Sequence, residues 1–198
     1  MQNHLHKPLS SLLVSLLLAA SGLASAQSSS YNIDPTHTFV TFEAKHFGVS
    51  TSRGRWDKKE GSISFDKAAK TGKAEITIDM ASINTGTGPF DGHLKSADFF
   101  DVANFPTAKF VGTNFKFEGD KVTEVAGELT MRGKTNPVTL KSSSFGCYTN
   151  QRINREVCGG DFEATIQRSQ WGVSFGVANN MIPDTVKLQI QVEAIKAQ

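Results

Sequence analysis

Apolar residues along this chain recur at every second position, segment after segment, and a period of two marks a strand with one buried and one wet face. Val40, Phe42, Ala44 and His46 alternate with Thr41, Glu43 and Lys45. The same alternation runs through Ile63 and Phe65, through Ala74, Ile76 and Ile78, and through Val125, Gly127, Leu129 and Met131. It returns in Phe162, Ala164 and Ile166, and most cleanly in Val186, Leu188, Ile190 and Val192. Lys58-Lys59-Glu60-Gly61, Glu118-Gly119-Asp120 and Gly133-Lys134-Thr135-Asn136-Pro137 fall between such runs and read as hairpin connections. The pattern predicts an all-β chain of about eight antiparallel strands that closes into a single barrel or sandwich. The alternation fails over 88–105, where Phe90, Leu94, Phe99 and Phe100 lose it. Pro89 and Pro106 bracket that stretch, which predicts a short helical segment around residues 89–104.

The first 26 residues stand apart from this pattern. A short polar start with Lys7 precedes an apolar run from Leu9 to Ala20, and Ala24-Ser25-Ala26 supplies the small-x-small motif of a signal-peptidase site. The run is shorter than the ~20 residues a membrane-spanning helix needs. Residues 1–26 are therefore expected to be a cleaved secretory signal peptide, and residues 27–198 one exported, periplasmic domain. Cys147 and Cys158 both lie in that domain, and an oxidising compartment favours a disulfide between them. A formal net charge of +2 leaves no basic footprint, so no nucleic-acid partner is expected.

An eight-stranded closed sheet has an interior just wide enough for side chains or one small ligand. The inward positions here mix large residues with small ones, which leaves room for a guest. The expected lining is Val40, Phe42, Ala44, Phe65, Ile76, Ile78, Phe110, Leu129, Phe162, Ala164, Ile166 and Leu188. Two polar residues end apolar faces: His46 after Ala44, and Arg168 after Ile166. A guanidinium facing an apolar interior needs a partner, either a ligand head group or a carboxylate at the rim. Asp91 and His93, in the helical segment, are two further candidates for a head group or for docking a lid. No nucleophile elbow of the G-x-S-x-G type occurs. His37, His46 and His93 leave a metal-dependent hydrolase as a competing class, and a solid barrel that recruits partners through its loops is a third. No cofactor, no resident metal and no catalytic residue is expected.

Several stretches together resemble the YceI-like lipid/polyisoprenoid-binding proteins. They are His37 to His46 with Gly54-Arg55-Trp56; Ile83-Asn84-Thr85-Gly86 leading into Asp91 to Val102 and Phe105-Pro106; Gly127 to Gly133; and Arg168-Ser169-Gln170-Trp171-Gly172. The resemblance implies a lipocalin-like periplasmic barrel around a long apolar tunnel for an isoprenoid, an isoprenoid quinone or a fatty chain. It implies a binding protein that sequesters or carries its cargo. Transient contact with a membrane or membrane redox proteins, and a homodimer, are the further partner options.

Overall fold

The alternating segments form eleven strands in a computed structural model that describes residues 28–198. They are β1 (Ser29–Ile33), β2 (Phe39–His46), β3 (Ser50–Trp56), β4 (Lys59–Asp66), β5 (Thr71–Asp79), β6 (Ile83–Asn84), β7 (Thr107–Glu118), β8 (Lys121–Met131), β9 (Lys134–Asn150), β10 (Arg155–Gln167) and β11 (Thr185–Lys196). Every pairing is antiparallel, and β1-β4-β5-β7-β8-β9-β10-β11 closes on itself through β11 and β1. That ring is the expected eight-stranded barrel. The three additional strands are continuations of existing staves. β11 carries β1 opposite its last residues (Ile33 against Ala194) and β2 opposite earlier ones (Val40 against Ile190). β3 lies beside β2, β4 beside β1, and β6 beside β3. The first three staves are thus each broken in the middle: at residues 34–38, at Asp57-Lys58, and at the 3-10 turn Met80–Ser82.

Two expected hairpins are corrected by this arrangement. The segment Lys58 to Gly61 does not reverse the chain, because β3 runs on into β4 in the same direction. Gly61 is there for another reason: a Cβ on it would lie 2.2 Å from the Glu75 carbonyl oxygen of β5. The turn between β8 and β9 is Arg132-Gly133, both with positive φ (48° and 70°), the conformation that matches strand twist in a two-residue hairpin. Lys134 to Pro137 already belong to β9. Gly119-Asp120 joins β7 to β8 as expected. The helical segment is shorter than 89–104: α1 spans Gly88–Lys95, with Pro89 in its first turn, and turns occupy the chain from Ser96 to Asn104.

The barrel therefore has two distinct ends. At the mouth gather the β2–β3 tip (47–49), the stretch 85–106 with α1, the turn 132–133 and the long connection 168–184. At the base gather the turns 67–70, 119–120 and 151–154. Near the base Cys158 stands directly opposite Cys147 across β10 and β9, and the two form the expected disulfide.

Candidate functional site

The inward faces enclose a cavity of about 450 Å³ beneath the mouth. β2 contributes Val40, Phe42 and Ala44; β3 contributes Ser52 and Trp56; β7 and β8 contribute Ala108, Leu129 and Met131; β10 and β11 contribute Ile166, Val186 and Leu188. Phe90, Leu94, Phe99 and Phe100 roof it from the stretch around α1, and Val173, Phe175, Met181 and Ile182 close it from the 168–184 connection. The roof exists because no strand pairing joins β6 to β7 among the described residues, so side chains complete the wall there. Trp56 anchors that seam, its ring centroid 5.4 Å from Phe42 and 5.7 Å from Phe100. Its buried indole N–H has no hydrogen-bond partner. The wall contains no carboxylate, and its volume lies in the range that holds small ligands.

A second, smaller cavity of about 90 Å³ lies toward the base, lined among others by Ile63, Phe65, Ala74, Ile76, Phe110, Phe162 and Cys158. Aromatic rings fill most of this end: Tyr31 stacks on Phe65 at 4.9 Å, and Phe145 meets Phe65 edge-on at 6.1 Å. The residues expected to line one tunnel thus divide between two chambers. Val40, Phe42, Ala44, Ile78, Leu129, Ile166 and Leu188 face the larger; Phe65, Ile76, Phe110 and Phe162 face the smaller; Val40 borders both. Ala164 is buried in the packed core and borders neither.

Arg168 faces inward and is buried, yet its guanidinium is committed to the chain itself. Nε donates to Pro183 O at 3.1 Å, Nη1 to Val173 O at 2.9 Å, and Nη2 to Phe175 O and Ile182 O at 2.8 and 2.7 Å. Neither of its expected partners, a head group or a bonded rim carboxylate, is needed. Asp184 is close enough to favour the charge while burial opposes it and pushes the pKa down, but Asp184 accepts its own hydrogen bonds from Ser169. Arg168 holds the 173–183 connection over the cavity. Asp91 takes the lid-docking alternative: its carboxylate accepts from Thr85 N and Thr85 Oγ1 at 2.7 and 2.6 Å, on the outer side of α1. It docks the lid and does not line the cavity.

His46 and His93 do stand at the mouth. His46 is exposed and packs edge-on against Phe47 at 4.8 Å; His93 lies 3.3 Å from Asp98 and edge-on to Phe99 and Phe175. Lys45 joins them in the wall, although strict alternation puts it on the outer face. Lys45 still pairs in register with Thr51, but as the second-last residue of β2 it lies at the rim, where its side chain borders the opening. His37 is elsewhere, its Nδ1 2.7 Å from Asp34, whose carboxyl is held at about 2: burial pushes it up, but hydrogen bonds from His37 and Thr36 outweigh that. His37 and His46 flank opposite ends of β2, roughly 30 Å apart at ~3.3 Å per residue, so the three histidines do not form one metal site. Sequence reasoning missed Trp56, Met80, Met131 and the 173–182 residues as lining. Met131 carried the period-two signal of β8 itself; for the others the available signal was apolar character within segments that do not alternate.

The chain matches the YceI-like domain over residues 31–194. It is 33% identical over 194 residues to a UPF0312 protein of Pseudomonas putida, covering 97% of this chain and 98% of the relative. A UPF0312 protein of Pseudomonas savastanoi pv. phaseolicola is 37% identical over 144 residues, 72% of this chain and 74% of the other. Among solved structures, BcnA of Burkholderia cenocepacia is similar with a TM-score of 0.68 at 26% identity, covering 82% of this chain and 99% of that one. A polyisoprenoid binding domain from Saccharophagus degradans shares the fold, with a TM-score of 0.59 at 16% identity over 85% of this chain and 99% of that one. Fold, motif order and these likenesses agree: the chain belongs to the YceI-like family.

Proposed function

We propose that this protein is a periplasmic carrier that holds the apolar chain of a lipid in the mouth cavity, with a polar head at the rim. The observation that carries this reading is the wall itself: about 450 Å³ bounded mainly by aliphatic and aromatic side chains, with no carboxylate, with Arg168 spent on backbone carbonyls, and with Lys45, His46 and His93 where it opens. Such a wall binds by apolar burial, at roughly 25 cal/mol per Å², offset by the cost of immobilising the chain. The polyisoprenoid binding domain from Saccharophagus degradans, which shares this fold, supports an isoprenoid as cargo. Export rests on residues 1–26, which lie outside the described residues, and the disulfide is consistent with an oxidising compartment.

The test is to express the full chain, recover the protein from a periplasmic extract, extract it with organic solvent and identify the released lipid by mass spectrometry. A polypeptide beginning at Gln27 and carrying an isoprenoid or fatty lipid near one per barrel is expected. Protein that emerges lipid-free and takes up neither added polyprenol nor added fatty acid would overturn the reading.

A further inference from the structure

The most exposed large apolar side chains of the described residues sit beside the cavity opening. Val49 is 86% and Phe47 61% exposed, both in the three-residue tip between β2 and β3. Phe47 has φ +49°, a left-handed conformation that a bulky side chain rarely adopts, and nothing in the core rewards it by covering the ring. The tip is tied to the adjacent connection by Phe47 N donating to Met181 O at 2.7 Å. That connection brings Phe175, itself exposed, to the same rim. Residues 45–53 carry Lys45, His46 and Arg53 and no carboxylate, and residues 174–183 carry no charge at all. Arg53 is already paired, its Nε donating to Glu43 Oε1 at 2.7 Å, and Asp184 at the end of the connection accepts from Ser169, which leaves Lys45 as the cation of the tip. Asp91, Asp98 and Asp101 belong to the stretch around α1.

We propose that this tip docks the mouth onto the surface of an anionic phospholipid bilayer, Phe47 and Val49 entering the interface and Lys45 meeting the phosphates. Two protruding side chains on a hairpin are far too small for a specific protein interface, which covers about 800 Å² on each partner. They suit insertion between lipid head groups, where each buried apolar group adds affinity and nearby lysines add attraction to anionic lipid. The tip is also continuous with the cavity opening, so docking sets that opening against the membrane. In this respect the inference rests on the lipid-carrier reading: it names the place from which cargo enters.

The experiment is flotation of the disulfide-bonded protein with vesicles of phosphatidylethanolamine and phosphatidylglycerol. Phe47→Asn with Val49→Ser removes the apolar tip, and asparagine tolerates the left-handed backbone, so the fold is retained. The double variant should bind vesicles on the order of 10- to 100-fold more weakly. Phe47→Trp should bind as the wild type does, with a blue-shifted emission component on adding vesicles. Ile153→Ser, at the exposed base turn, should change nothing. Wild-type protein that stays unbound, as it would if the tip served a protein partner, overturns the proposal; so does a double variant that floats equally well. Polyprenol delivered from ethanol without vesicles should load both proteins alike. A wild type that fails to load defeats the carrier reading, while flotation still decides the docking.

Discussion

The two halves of this barrel are built from the same staves yet solve the interior differently. At the base, β1 pairs with both β4 and β11, so backbone hydrogen bonds close the ring and aromatic rings fill it, leaving about 90 Å³. At the mouth, β2, β3 and the two-residue β6 end without reaching β7, and the wall is completed by side chains from the stretch around α1 and the 168–184 connection. About 450 Å³ stays open there. Complete strand pairing fixes staves at a spacing that Phe65, Phe145 and Tyr31 can bridge. A roof of Phe90, Leu94, Phe99 and Phe100 spans a gap without descending into it. The base is a structural core, and the mouth is a container.

The sharpest way to break this contrast is to delete one ring from each half. Phe65→Ala should cost about 3–5 kcal/mol, since Phe65 is buried, stacked on Tyr31 and met edge-on by Phe145, and borders only the small chamber of about 90 Å³. Phe42→Ala should cost at least about 1 kcal/mol less, because part of the Phe42 ring already borders empty space and has fewer contacts to lose. Urea unfolding of the two variants reads the difference, and equal losses would mean the mouth is as solidly packed as the base.

Arg168 tests how the container is closed. Arg168→Ala leaves four carbonyls of the 173–183 connection without their donor, a loss of roughly 3 kcal/mol. Arg168→Lys should recover only part of it, because an ammonium has three donors and no planar fork. Both variants should lose affinity for headed and headless lipids to the same degree, as expected of a residue that shapes the wall. A loss confined to lipids with a polar head would place Arg168 at the head group after all.

Filling each chamber makes a smaller but opposite pair of effects. An apolar cavity of about 150 Å³ accommodates a benzene ring. Ala108→Phe therefore fits within the mouth cavity, with stability changed by less than about 1 kcal/mol and lipid uptake strongly reduced. Ala74→Phe must force its ring into about 90 Å³ and should cost about 1–3 kcal/mol with uptake little changed. Thermal melts with a lipid-loading assay separate the two, and uptake lost equally in both would mean that the chambers act as one tunnel.

How far the sequence foretells this division is itself instructive. Period two in β2, β5, β8, β10 and β11 names the inward faces, and small residues among large ones signal free space. The inward faces survive in the structure because side-chain direction along a strand is fixed by the pleat. The free-space signal holds at Ala44 and Ala108 but not at Ala164, which is packed in the core and borders neither chamber. The breaks in the first three staves are not legible: Lys58 to Gly61 has turn-like composition, yet Gly61 serves a close approach to β5. Nor are Arg168's partners, since backbone carbonyls leave no mark in the choice of residue. The roof is half legible. Loss of alternation flags Phe90, Leu94, Phe99 and Phe100, but their place over the cavity depends on a missing strand pairing that no local pattern encodes.

The smallest predicted effect is a pH dependence confined to the base, where both tyrosines of the chain, Tyr31 and Tyr148, reside. Tyr31 is 1% exposed, stacks on Phe65, and donates its hydroxyl proton to Glu156 Oε1 at 2.5 Å. Burial first, then the hydrogen bond and the charge of Glu156, push its pKa up from 10.0 to about 12. The neutral phenol is thus favoured in the folded chain. Its contribution to stability is complete below pH 10 and is lost as pH rises from 10 through about 12. After allowance for solvent screening that contribution is about 1–2 kcal/mol. Tyr31→Phe keeps the stacked ring and removes the titration. The gap in unfolding free energy between wild type and Tyr31→Phe should therefore narrow between pH 9 and pH 12, as followed by urea melts across that range. Every other ionisable group is common to the two proteins and cancels from the difference. A gap that stays constant to pH 12 would mean that Tyr31 ionises as readily folded as unfolded, and that the base is wetter than its packing implies.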